Sequence, residues 1–172
     1  MELAASQAWT SSVAAGTQNF NVNNGVRRAA GATNMTLLVD MTPKTNFSGT
    51  VADGTGGGRL SLWKRGSGEA VVSVANTYSG TTTLQAGTLT ISNASGLGTS
   101  AVNLAGGTLN VGGGINFSSS SVSMLGGMTT LATGSSTSRM DLGTISRPVG
   151  GGILYRNFGA AAGVSGTIAI SN

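Results

Sequence analysis

Gly-Thr-Leu recurs at a fixed step in this chain: Gly87-Thr88-Leu89, then Gly107-Thr108-Leu109, with Gly127 a further 20 residues on. Each triplet opens an alternating run, Thr88-Leu89-Thr90-Ile91 and Thr108-Leu109-Asn110-Val111, and shorter runs stand at Val72-Ser73-Val74 and Val102-Asn103-Leu104. Alternation of apolar with polar residues marks a strand with one buried face. Recurrence at a fixed period marks one supersecondary unit used again. A step of about 20 residues matches one coil of a β-helix, with three short strands joined by turns; coils stack about 4.8 Å apart because none can bury its apolar residues alone. The expectation is an all-β fold: a right-handed parallel β-helix (β-solenoid) of about eight coils of roughly 20 residues, one domain spanning residues 1–172.

The pattern assigns faces. Leu84, Leu89, Ile91, Val102, Leu104 and Leu109 point inward; Thr88, Thr90, Asn103 and Asn110 point outward. Thr81-Thr82-Thr83 and Thr129-Thr130 suit exposed β-faces, and Asn76, Asn93 and Asn116 suit turns, where Asn tolerates the left-handed region. Met35-Thr36-Leu37-Leu38-Val39 reads as a buried strand. Three stretches break the pattern: 24–34 reads as a loop, 40–57 (with Pro43 and Gly54–Gly57) as an irregular excursion, and 134–139 as a polar loop.

Composition excludes several functions. Apolar residues make up 39%, too many for a disordered Ser/Gly linker, because disorder requires too little apolar surface to offset chain entropy. Charged residues are only 8%, against roughly 25% in an average domain, so hydroxyls and amides supply the polar surface. Nine basic residues against five acidic leave a net charge of +4, but only Arg27-Arg28 and Lys64-Arg65 are basic pairs. Nucleic-acid binding wants a dense basic face with stacking aromatics, which is lacking, so these residues read as solvated turn or edge charges that discourage sheet-to-sheet association. With neither Cys nor His, disulfides, thiolate chemistry and the commonest general base and metal ligand are gone.

No catalytic, cofactor-binding or metal-binding residue is expected, and no cofactor. Glu2, Asp40, Asp53, Glu69 and Asp141 are widely spaced and read as single turn charges, although stacking could bring Asp40, Asp53 and Arg59 together. Asp53-Gly54-Thr55-Gly56-Gly57-Gly58 lacks the alternating acids of calcium loops and the Gly-Lys-Ser/Thr of a phosphate loop. Serines have no histidine partner and no nucleophile elbow. Trp9, Trp63, Tyr78 and Tyr155 could form a sugar-stacking platform, but such residues more often cover an edge or a coil end.

The opening Met1-Glu2-Leu3-Ala4-Ala5-Ser6 has no signal-peptide pattern, and no window approaches the 18 or so apolar residues of a spanning helix. No membrane insertion by this segment is expected. The alternating Ser165–Asn172 run ends without the polar cap that closes a solenoid, so continuation into neighbouring segments or further copies is expected.

Residues 62–111 resemble the passenger-associated transport repeat, also described as the autotransporter-associated β-strand repeat. Leu62, Lys64, Gly66 and Gly68 match its opening, Asn76-Thr77-Tyr78 and Gly80 its centre, and Thr82, Gly87, Leu89, Leu97-Gly98 and Gly106-Gly107-Thr108-Leu109 the remainder. Ala70, Val74 and Thr81 depart from it, standing where Leu, Gly and Gly are common. The resemblance implies a β-helical segment of a large secreted or surface-exposed bacterial protein, where such repeats are linked to passage across the outer membrane and folding there. Ala5–Thr10 looks like a strand that often precedes them.

The function expected is structural: a stalk, spacer or fibre building block outside the cell or on the bacterial outer surface, self-associating end to end. The alternative is an adhesin or carbohydrate-binding module that meets surface glycans through 24–34, 40–57 and 134–158, with Arg147, Tyr155, Arg156 and Phe158 as a contact patch.

Overall fold

The computed structural model describes residues 1–12, 19–31, 33–119, 121–134 and 137–146, together with the backbone of Leu154–Arg156 and Gly163–Ile168. Among these residues there is no helix, and every strand pairing is parallel. The chain winds repeatedly over three faces. Face A holds β1 (Glu2–Leu3), β4 (Val26–Arg28) and β7 (Val51–Ala52). Face B holds β2 (Gln7–Ser11), β5 (Met35–Met41), β8 (Leu60–Lys64), β10 (Thr81–Leu84), β12 (Ala101–Leu104), β14 (Asn116–Ser118), β15 (Ser121–Met124), β17 (Arg139–Ser146) and β19 (Gly163–Ile168). Face C holds β3 (Asn19–Val22), β6 (Lys44–Phe47), β9 (Glu69–Val72), β11 (Thr88–Ile91), β13 (Gly107–Val111), β16 (Thr129–Thr133) and β18 (Leu154–Arg156). Apart from β14 and β15, which lie in one coil and both pair with β17, consecutive strands on a face come from consecutive coils, so this is a β-solenoid.

The repeated triplets stack as the sequence step demands: Thr88 faces Thr108 and Leu89 faces Leu109. The core is built of inward columns. On face B, Leu37, Leu62, Thr82, Val102 and Val122 lie in one column; Val39, Lys64, Leu84, Leu104 and Met124 lie in the next. On face C, Ala70, Leu89, Leu109 and Leu131 are stacked, flanked by Phe47, Val72, Ile91 and Val111. All six residues expected to point inward are fully buried. Met35–Met41 alternates between buried and half-buried as a strand with one solvent face should.

Coil length is where expectation and structure part. Gln7 faces Leu37, Leu37 faces Leu62, Leu62 faces Thr82, Thr82 faces Val102, Val102 faces Val122 and Val122 faces Ile145, giving steps of 30, 25, 20, 20, 20 and 23 residues. A step of 20 therefore holds only for the middle of the stack. The steps of 25 residues are longer because the chain takes more residues between faces A and B; the first step adds five more between β2 and β3, since Ser11 to Asn19 takes eight residues and their counterparts Met41 and Lys44 are three apart. Val51 to Leu60 takes nine residues, but their stacked counterparts Asn76 and Gly80 are four apart. The five extra residues lie in the Gly-rich segment 53–59.

The loop expectations narrow accordingly. Stretch 24–34 contains β4, and 40–57 contains the end of β5 with β6 and β7, leaving 53–59 as the irregular part. Pro43 occupies the corner between β5 and β6 without ending either strand. Asn116 lies in β14 rather than a turn, and Arg139 opens β17; Ser135 and Ser136 lie outside the described residues.

Candidate functional site

Most of the large side chains that match the repeat motif converge on the inside of the stack, whereas Thr77 is exposed. Lys64 occupies the inward column between Val39 and Leu84 and is buried, with 1% of its surface exposed. Its Nζ donates to the Gly66 carbonyl in its own coil and to the Ala86 carbonyl of the next, at 3.3 Å. Burial lowers its pKa to about 8, against the opposing pull of the Asp40 carboxylate. The amine thus ties two successive B-to-C corners together. Gly87, at φ +69°, closes the cage: a Cβ there would collide with the Gly66 and Gly68 carbonyl oxygens and meet Lys64 Nζ.

A second inward polar cluster replaces face A beyond β7. Asn76 is buried; its Oδ1 accepts from the Val51 amide (2.7 Å) and its Nδ2 donates to the Gly96 carbonyl (2.5 Å). One side chain thus spans three coils where strand pairing has ended, apart from the bridge of Thr77 with Ala52. Tyr78 is wholly buried, and its hydroxyl pairs with Thr82 Oγ1 at 2.7 Å, which in turn pairs with Ser100 Oγ at 2.7 Å. Burial pushes the phenol up to about 12, with the Thr82 and Ser100 hydroxyls pulling the other way. Leu97 fills the core in the next coil, while Gly98, at φ +58°, lets the backbone pass the Tyr78 carbonyl, which a Cβ would strike.

These placements correct several readings. Lys64 and Arg28 are not solvated charges. Arg28 is buried and donates to the carbonyls of Gly58 (2.9 Å), Thr55 (2.8 Å) and Ala29 (3.1 Å), which anchors segment 53–59. Thr82 faces inward rather than outward, and Thr129 is also buried. Thr90 is covered because Glu69 accepts its hydroxyl at 2.6 Å and Asn110 reaches it at 3.4 Å. Asn76 is a buried bridge, whereas Asn93 does hold a turn, accepting the Ser95 amide at 3.0 Å.

The acids do not assemble. Asp40 pairs with Arg65 at 3.3 Å, Glu69 with Lys44 at 3.0 Å, Asp141 with Arg139 at 3.4 Å and Glu2 with Arg27. Asp53 accepts from the Leu60 amide (2.7 Å), the Ser79 amide (3.0 Å) and the Ser79 hydroxyl (2.6 Å). Burial raises its carboxyl, but those donors and the Arg28 charge outweigh it and leave the pKa below the usual range. Among the described residues, no three of His, Cys, Asp and Glu come together as a metal would require. No helix there is long and apolar enough to cross a membrane.

The aromatic platform does not form from Trp9, Trp63 and Tyr78. Trp9 packs on Phe47 (6.1 Å) and Phe20 (5.3 Å) at the first-coil end of the core, Trp63 donates to Gln85 Oε1 (3.1 Å) on the outer face, and Tyr78 is inside. Arg147 and Phe158 lie outside the described residues, as do the side chains of Tyr155 and Arg156. Sequence reasoning missed the groove beside 53–59, whose signal was the five-residue shortening of the coil.

No family model, no characterised protein and no solved structure matches this chain.

Proposed function

We propose that this chain is a structural β-solenoid segment of an extracellular or outer-surface bacterial protein, a stalk, spacer or fibre element of the passenger-repeat kind, and not an enzyme. One observation carries the reading: the motif residues Lys64, Asn76, Tyr78 and Thr82, with the glycines between them, spend their polar groups joining coil to coil. Such residues build a rod; they leave no reactive group facing solvent. The low charge and the hydroxyl-rich surface fit a setting outside the cell, as the resemblance implies.

A rod of this kind grows by adding coils. The outer edges of β1, β2 and β3 carry no strand partner among the described residues, and Phe20 within β3 is 39% exposed. An open parallel edge is a template for a further strand. End-to-end association follows, with a neighbouring segment of the parent chain or with another copy. Sedimentation velocity over a concentration series tests it: the wild type is expected to form elongated oligomers, and Phe20→Asp to shift them toward monomer. A chain that stays monomeric throughout contradicts the proposal.

A further inference from the structure

We propose that the groove beside β8, β10 and β12 binds a carboxylated oligosaccharide lying along the solenoid axis. The groove has a volume of about 390 Å³ and lies where the coil shortens from 25 to 20 residues. Arg59 and Asn34 stand on the longer coils; Ser79 to Thr81, Thr99 to Ala101 and Ser121 stand on the shorter ones. The step leaves a shelf beside the Gly-rich segment.

The walls repeat with the coil. Ser61, Thr81, Ala101 and Ser121 form one outward column, in register over three coil steps, or about 14 Å at the stacking distance of parallel strands. That length suits a ligand of about three sugar units, each spanning roughly one coil. The hydroxyls of Ser61, Thr81 and Ser121, with Thr99 beside the Ala101 step, offer hydrogen bonds to a ligand that is itself periodic and polar.

Part of the lining keeps free donors, although the Ser79, Thr81 and Ser100 hydroxyls already have partners. Every other cation among the described residues has an ion pair or a carbonyl partner, whereas the Arg59 guanidinium has none. Asn34, in the lining, accepts the Arg59 amide through Oδ1 (2.9 Å), which leaves its NH₂ as a donor not used in that bond. Among the described residues, the Thr99 and Ser121 hydroxyls have no protein partner. Among the described residues no carboxylate lines the groove; Asp53 lies behind Ser79 with its oxygens already taken by Leu60 and Ser79. A donor-rich groove with one uncompensated guanidinium selects a ligand with many acceptors and a carboxylate, which guanidinium holds in bidentate fashion. It offers no large apolar pocket to anchor a peptide side chain.

Trigalacturonate, maltotriose and inorganic phosphate, each titrated into the isotope-labelled chain and followed by amide NMR shifts, test this. Trigalacturonate is expected to saturate, with shifts confined to Arg59, Thr81, Thr99 and Ser121, and to bind at least about tenfold tighter than maltotriose or phosphate. Arg59→Gln is expected to weaken it by about tenfold or more, with an unchanged circular dichroism spectrum, and Arg139→Gln to leave it unaltered. Absent saturation, shifts elsewhere, or an Arg59→Gln variant that binds as the wild type does would overturn the proposal. So would maltotriose or phosphate binding as tightly as the acidic trimer.

Discussion

At the scale of single residues, the repeat motif is a set of buried polar joints. Parallel strands satisfy backbone groups along each face, but every corner leaves carbonyls and amides to be met by side chains. Lys64 meets two carbonyls at the B-to-C corner, and Asn76 meets one amide and one carbonyl where face A ends. Their positions were legible as motif matches, yet their burial was not: a lysine beside an arginine reads as surface, and only the register that places Lys64 between Val39 and Leu84 shows it inside. The titrations of Lys64 and Tyr78 give this burial a signature. Between about pH 8 and the 10.5 of an ordinary lysine, the folded chain has released the Lys64 proton and the unfolded chain has kept it, so stability rises with pH, by at most about 1.4 kcal/mol per pH unit. Between 10.0 and about 12 the order reverses at Tyr78: the unfolded chain releases its proton first, and stability falls. Urea midpoints measured from pH 7 to 12 are expected to pass through a maximum near pH 10. Lys64→Met should lose the rising limb and Tyr78→Phe much of the falling one; a rise that survives in Lys64→Met contradicts the burial.

At the scale of elements, strand character was readable because alternation reports directly on which side chain faces the core. Leu84, Leu89, Ile91 and their partners all lie inside. What the pattern could not show was coil length, because register is set between distant segments and by turns that carry no periodic signal. Segment 53–59 is the case in point. Its glycines suggested a broad excursion over 40–57, whereas β6 and β7 are regular and only these seven residues leave the ladder. Asp53 holds the exit, since it takes the amide that opens β8 and both donors of Ser79 one coil on. Asp53→Ala is expected to cost about 1–2 kcal/mol in urea unfolding, while Asp141→Ala, which breaks an exposed pair, should cost well under about 1 kcal/mol. Because the Asp53 carboxyl sits below its ordinary value, its contribution is present at neutral pH and disappears as pH falls through the acid range, so the wild type and Asp53→Ala should converge in strong acid. Equal costs for the two substitutions would remove Asp53 from this role.

At the scale of the whole molecule, one geometric fact underlies everything else: coils of 20 to 30 residues lie parallel and in register. The shared core, the motif's polar joints, the open edges at β1 to β3 and the stepped groove all follow from it. The absence of cysteine makes that fact open to a direct chemical measurement. Thr83, Asn103 and Ser123 form one outward column, each facing the next. A disulfide needs Cα atoms roughly 4.4–6.8 Å apart, which the stacking distance of one coil allows and that of two does not. Oxidised under dilute conditions and read by mass spectrometry, Thr83→Cys with Asn103→Cys and Asn103→Cys with Ser123→Cys should cross-link within one chain, and Thr83→Cys with Ser123→Cys should not. Efficient closure of that last pair, with failure of the first two, would contradict the in-register solenoid on which the whole account stands.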